Sequence, residues 1–131
     1  MKAQKTIATL LCALLIIPIH APDSSARTPT NISGTTTGIS ISDGCGTAVC
    51  SITGFQKSVT RCSIEACLQQ YKNGEWDTIA TWQQSFDRYR GSLTGTAEII
   101  RGYDYRTQAT YTATSEAMTE TFTITSGIKH Y

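Results

Sequence analysis

From Ile39 to the C-terminus the chain alternates apolar and polar residues with a period of two, and that rhythm restricts it to β-strands. Successive side chains of a strand point to opposite faces, whereas a helix would need apolar residues three to four apart. Ala48, Cys50 and Ile52 fall on one face, with Thr47, Val49, Ser51 and Thr53 on the other. Cys62, Ile64, Ala66 and Leu68 alternate with Ser63, Glu65, Cys67 and Gln69 in the next run. Trp76, Ala80 and Trp82 then share one parity, and Leu93, Ala97 and Ile99 mark a further strand. Tyr103, Tyr105, Ala109, Tyr111 and Ala113 form the cleanest alternation, and Phe122, Ile124 and Ile128 are expected to face inward at the end. No window outside residues 1–26 has helical spacing.

Turn chemistry divides these runs. Asn73-Gly74 lies between Tyr71-Lys72 and Glu75-Trp76, and this pair readily adopts the positive φ values of a two-residue hairpin turn. Asp87 to Gly91 reads as a polar loop, and Arg101-Gly102 as another turn. About seven short strands within a single domain predict an all-β, immunoglobulin-like antiparallel β-sandwich over residues 38–131. Gly102-Tyr103-x-Tyr105, opening the sixth strand, fits the position at which a tyrosine of such folds bonds backbone across a corner.

Residues 1–26 read differently, as a secretory signal peptide. Lys2 and Lys5 supply a basic start, Thr6 to Ile19 an apolar run, and Ser24-Ser25-Ala26 the small residues of a cleavage site. The run is shorter than the roughly 20 residues of a membrane-spanning helix, and Pro18 interrupts it. A lipoprotein reading at Cys12 meets Leu11 where a small residue belongs. The expected localisation is therefore secreted or cell-surface, with no membrane insertion after cleavage. Residues 27–37, RTPTNISGTTT, lack apolar periodicity and are expected to form a flexible N-terminal arm. Of 11 basic residues the leader removes Lys2 and Lys5, and of 10 acidic residues it removes Asp23, which leaves 9 of each. That balance predicts no nucleic-acid partner.

Four cysteines follow the leader: Cys45, Cys50, Cys62 and Cys67. In an exported small domain an even number predicts disulfides, and the spacing lacks the Cys-x-x-Cys pair of a zinc site. Nested pairing, Cys50 with Cys62 and Cys45 with Cys67, suits two neighbouring antiparallel strands, because both pairs centre on Gln56. Cys62 and Cys67 have opposite parity, which favours the first bridge over the second.

The residues offer little catalytic chemistry. His130, the single histidine after the leader, lies one residue from the C-terminus, a poor place to hold a base or a metal. Glu75 and Asp77 share a strand face, as many solvated carboxylate pairs do. No catalytic residue, metal site or cofactor is expected, and the chain reads as a non-enzyme. Trp82, beside the polar Gln83-Gln84, and Trp76 are the candidate ligand contacts. The row Thr119, Thr121, Thr123 and Thr125, taken alone, reads as a solvated strand face.

The segments LQQYKNGEWDTIATWQQSF and RGYDYRTQATYTA give the chain a resemblance to a group of small exported bacterial proteins of unknown function. The shared elements are a GTAxC strand at Gly46 to Cys50 and an LQ-x-x-x-x-G-x-W hairpin at Leu68 to Trp76. A G-Y-x-Y-R strand at Gly102 to Arg106 and an acidic-Thr strand at Glu120-Thr121 complete the set. These motifs imply a turn, a packing tryptophan and a corner tyrosine, and no activity. The expectation for function is a secreted binding or adhesion module for an extracellular carbohydrate or protein. The alternative is a secreted structural or antagonistic, bacteriocin-like factor.

Overall fold

The structure, a computed structural model, describes residues 31–131. The expected leader and residues 27–30 of the expected arm lie outside the described residues. Eight strands form within them: β1 Ile32–Ser42, β2 Cys45–Gly54, β3 Val59–Lys72, β4 Glu75–Phe86, β5 Arg90–Glu98, β6 Asp104–Ser115, β7 Thr119–Thr125 and β8 Lys129–His130. They make two antiparallel sheets, one ordered β1-β2-β5 and the other β4-β3-β6-β7, with β8 also paired to β6. Inward faces pack against each other as a sandwich.

Two-residue turns set two of the hairpins. Asn73 and Gly74, at φ 54° and 80°, join Lys72 to Glu75, which face each other across the β3–β4 ladder. Asp43 and Gly44, at φ 51° and 76°, do the same between Ser42 and Cys45. Asparagine and aspartate tolerate this left-handed backbone and glycine adopts it without a Cβ clash.

The hairpin at Asp43-Gly44 corrects the expected arm, because residues 32–37 belong to β1 and pair with β2. An edge strand needs backbone partners on one side more than an apolar pattern, and β-branched threonine suits it. Its start is fixed by polar contacts. One Glu120 carboxylate oxygen on β7 accepts from the backbone N–H groups of Asn31 and Ile32, at 3.0 and 2.9 Å. The Asn31 amide donates to the carbonyls of Ala113 and Met118, both at 3.0 Å. The loop expected to run to Gly91 is also shorter, since Arg90 and Gly91 already pair in β5. Ile128 lies outside the strands and is 59% exposed, so the expected inward row of the last strand ends at Ile124.

Alternation places Ala48, Cys50, Ile52 and Leu93 inward from one sheet, and Cys62, Ile64, Ala66, Leu68, Tyr105, Ala109, Tyr111 and Ala113 from the other. Two buried tyrosines satisfy their hydroxyls on backbone. Tyr111 reaches across the sandwich to β1, donating to the Thr36 carbonyl at 2.6 Å and meeting Thr37 Oγ1 at 2.6 Å. Tyr105 donates to the Ile100 carbonyl at 2.9 Å and accepts from the Ile100 N–H at 3.1 Å, the corner contact expected at the start of the sixth strand.

A one-residue slip between β3 and β4 decides where the tryptophans go. Leu68 faces Ala80 while Gln69 faces Thr78, so Ile79 is the extra residue of a β-bulge. The bulge reverses parity, placing Trp76 on the outer face and Trp82 on the inner one, and the common parity expected for the two is not kept. Trp82 and Phe86 then press on glycines of β5. A Cβ built on Gly95 would come within 2.1 Å of the Trp82 ring, and one on Gly91 within 2.3 Å of Phe86.

The expected disulfide staples do not form. Cys45, Cys50 and Cys62 carry free thiols, which rules out both the Cys50–Cys62 and the Cys45–Cys67 bridge. The nested pairing presumed neighbouring antiparallel strands, whereas β2 and β3 belong to opposite sheets. Here the Tyr111 ring and Leu93 occupy the same core layer as the two thiols. Burial pushes the Cys50 and Cys62 thiols up, partly offset by the Tyr111 hydroxyl at Cys50 and by the Arg88 charge at Cys62.

Two measurements check this packing. Gly95→Ala should lower the unfolding free energy by about 1–3 kcal/mol through the forced displacement of Trp82. Gly34→Ala, whose Cβ would meet nothing within 4 Å, should leave it within about 0.5 kcal/mol in the same urea titration. In native protein a thiol reagent should label half-buried Cys45 first, and label Cys50 and Cys62 only as the domain unfolds.

Candidate functional site

The outer face of the larger sheet collects its most distinctive side chains at the β3–β4 hairpin end. Register puts Trp76 beside Tyr71, Tyr71 beside Asp104, and Asp104 beside His130, so one rung crosses β4, β3, β6 and β8. The next rung holds Thr78, Gln69 and Arg106. The bulge at Ile79 makes this rung pattern possible by turning Trp76 onto the same face as Tyr71.

Arg106 organises the cluster. Its guanidinium lies over the Trp76 ring, 4.1 Å from the centroid, and its Nε donates to Gln69 Oε1 at 2.8 Å. The Tyr71 and Trp76 rings stand 5.1 Å apart at 58°, a tilted aromatic pair. Burial lowers the Arg106 pKa, as expected for a guanidinium pressed between a ring and an amide. Cation–π attraction at an exposed site contributes about 0.5–1 kcal/mol, which biases the ring toward this orientation. Asp104 and His130 meet at 2.7 Å on the outer side of the cluster. Tyr71 remains 42% exposed, so an aromatic ring, a carboxyl group and an imidazole are presented together to solvent.

The sequence-predicted residues separate in space. Trp76 lies in this cluster, whereas Trp82 packs against both core clusters and over Gly95. Cys50 and Cys62 are in the core, Cys45 is half-buried on the outer face of the smaller sheet, and Cys67 faces outward on β3, accepting from Thr81 Oγ1 at 3.9 Å. Glu75 and Asp77 are exposed. Arg106 and Tyr71 were not singled out by the sequence. The signal for Arg106 was the alternation of β6 itself, which places it two residues from Asp104 on the polar face.

The threonine row of β7 has a neighbour. Thr123, Thr121 and Thr119 face Thr110, Thr112 and Thr114 of β6, with hydroxyl contacts of 2.8, 3.1 and 3.3 Å. Each pair uses hydroxyl capacity within the sheet. Glu65 sits between Gln83 and Thr110 on the same face, and burial raises its carboxyl pKa.

No protein-family model and no curated protein matches the chain. Among solved structures, the chain is similar to CsgH of R. palustris, determined in solution, with 13% identity over 69% of this chain and 88% of that one and a TM-score of 0.42.

The raised Glu65 carboxyl sets a pH dependence. Its ionised form is disfavoured in the folded state, so the stability tied to it is complete below its unfolded pKa and declines as pH rises through the higher folded value. Glu65→Gln should therefore raise the melting temperature at pH 7 and leave it nearly unchanged at pH 3, read by thermal denaturation at the two pH values.

Proposed function

We propose that this chain is an exported, non-enzymatic binding module of immunoglobulin-like architecture, with a carbohydrate as its ligand and the Trp76 cluster as its contact surface. The observation that carries the reading is the Trp76 ring fixed under Arg106 and flanked by Tyr71. A sugar ring offers a patch of C–H groups bordered by hydroxyls. An oriented aromatic face receives the former, and neighbouring guanidinium, carboxylate and imidazole groups hydrogen-bond the latter. Holding the rings in place beforehand reduces the ordering cost of binding.

Export rests on the leader pattern of residues 1–26. The immunoglobulin-like label is supported by the strand order β1-β2-β5 against β4-β3-β6-β7 and by the Tyr105 corner at the start of β6. The non-enzymatic reading is supported by the exposure of His130, the single histidine among the described residues, on a two-residue strand.

A glycan array probed with the exported protein tests the proposal. Binding to a set of saccharides is expected, and Trp76→Ala should weaken it by about tenfold or more, the scale of losing one well-placed contact of 1.4 kcal/mol. The variant should keep its urea midpoint within the small loss of one surface cation–π contact. A blank array, or a folded Trp76→Ala protein that binds as tightly as the parent, would overturn it.

A further inference from the structure

At the other end of β4 the structure holds a second opening, a groove of about 400 Å³ lined by Ser51, Thr53, Gln84, Arg88, Arg90 and Ser92 together with Phe86 and Gly91. We infer that this groove binds the oxyanion groups of an acidic saccharide, with Arg88 and Arg90 as the anion-recognising pair. The inference deepens the carbohydrate reading, and it rests on residues that share nothing with the Trp76 cluster.

Two guanidiniums line the groove and no carboxylate does. The nearby Asp87 pairs with Arg61, at 3.2 Å, and so is directed to a different arginine. Among the described residues neither Arg88 nor Arg90 meets an acidic partner. A chain whose leaderless form balances its charges overall thus keeps two cations together at one opening.

Geometry adds that the cations are held. Arg88 Nε donates to the Arg90 carbonyl at 3.0 Å, which leaves the terminal nitrogens of its fork as unused donors. Its guanidinium also lies over the Phe86 ring, 5.8 Å from the centroid, and that of Arg90 lies over Tyr89 at 5.5 Å. Guanidiniums resting against rings lose less freedom on binding, and their planar forks match carboxylate, sulfate or phosphate oxygens in pairs. Phe86 is fixed in turn by the glycine seat at Gly91, so the groove has a rigid floor.

Hydroxyls decide the rest of the ligand. Ser51, Thr53 and Ser92, with the Gln84 amide, line the same groove, and a lone anion would leave them unused. A chain of hydroxyl-bearing sugars carrying carboxylates uses both sets. A fully apolar or cationic ligand uses neither.

Titration of the isotope-labelled exported protein with polygalacturonate, followed by backbone amide shifts, tests the inference against methyl-esterified polygalacturonate and inorganic phosphate. Polygalacturonate should shift the amides of Gly91 and Ser92, with an affinity that falls as salt is raised, and the ester should bind at least about tenfold more weakly. Arg88→Gln with Arg90→Gln should reduce the affinity by about tenfold or more while Trp76→Ala leaves these shifts in place, which separates failure of the groove from failure of the Trp76 surface. Both arginines are exposed, so the double variant should fold as the parent does. Equal binding of acid and ester, shifts confined to other residues, an unchanged double variant, or a response to phosphate without one to polygalacturonate would each overturn it.

Discussion

One extra residue in β4, Ile79, determines how the two sheets close. Without the bulge, a strand of fixed parity would send Trp76 and Trp82 to the same face, and either the core would lose a ring or the surface would lose one. With it, Ala80, Trp82, Gln84 and Phe86 turn inward while Trp76 and Thr78 turn outward. The inward rings need space, and β5 supplies it by placing glycine at residues 91 and 95, where any side chain would overlap them. Gly in a strand normally costs conformational entropy and packing. Here its missing Cβ is the condition for ring contact, so that cost is offset by buried aromatic area. Ile79, displaced by the bulge, is left 39% exposed beside the Gln70 and Tyr105 end of the sandwich.

Polar atoms bonded across the sandwich do the stapling that sequence reading assigned to sulfur. Tyr111 ties β6 to the Thr36 carbonyl and Thr37 hydroxyl of β1, and Glu120 ties β7 to the N–H groups of Ile32, at the start of that strand, and of Asn31 just before it. Each neutral bond contributes about 0.5–1.5 kcal/mol net, and bonds to a charged group about 1.5–3 kcal/mol. Removing one partner costs more, because a buried carbonyl or N–H is then left without a bond. β1 is therefore anchored at its start and its middle. Its residues carry no charge, a risk for an edge strand, and the tyrosine occupies one of the carbonyls that such an edge would otherwise offer to another chain. Cys50 and Cys62 lie in this same layer, where packing of the Tyr111 ring and Leu93 leaves them as small apolar residues.

What the sequence displayed clearly was alternation backed by turn chemistry. The inward rows of β2, β3 and β6 and the Asn73-Gly74 hairpin follow from it, and Tyr105 reached its corner contact because a turn glycine precedes a strand-starting tyrosine. Asp43-Gly44 carried an equally strong hairpin signal. It was obscured because β1 is a Thr- and Gly-rich strand held by its backbone ladder to β2 rather than by an apolar row, a pattern that reads as a loose arm. The bulge was illegible for a different reason: Ile79 is an ordinary strand residue, and its insertion becomes visible when the ladder of β3 counts one fewer. That single shift also hid the site. Trp82 looked like the outward ring because Gln83 and Gln84 follow it, and Arg106 acquired its role only through a partner two strands away.

Net charge conceals more than it shows in such a molecule. A balanced chain generates no long-range field, and at physiological ionic strength a Debye length of about 8 Å would screen distant charges in any case. Within that length the distribution is uneven: Arg106 lies over Trp76 near one end of β4, and Arg88 and Arg90 lie over rings at the other. The ten residue steps from Trp76 to Phe86 span about 30 Å at strand rise. An extended polymer could engage both, and linking two weak contacts on one chain raises overall affinity through effective concentration without any new contact. Rigid spacing is what makes that arithmetic favourable, because β4 is held by β3 along its length and by β5 through the glycine seats. The bulge that orients Trp76 and the glycine that seats Phe86 thus belong to one structural solution, in which core packing fixes the distance between two surface sites.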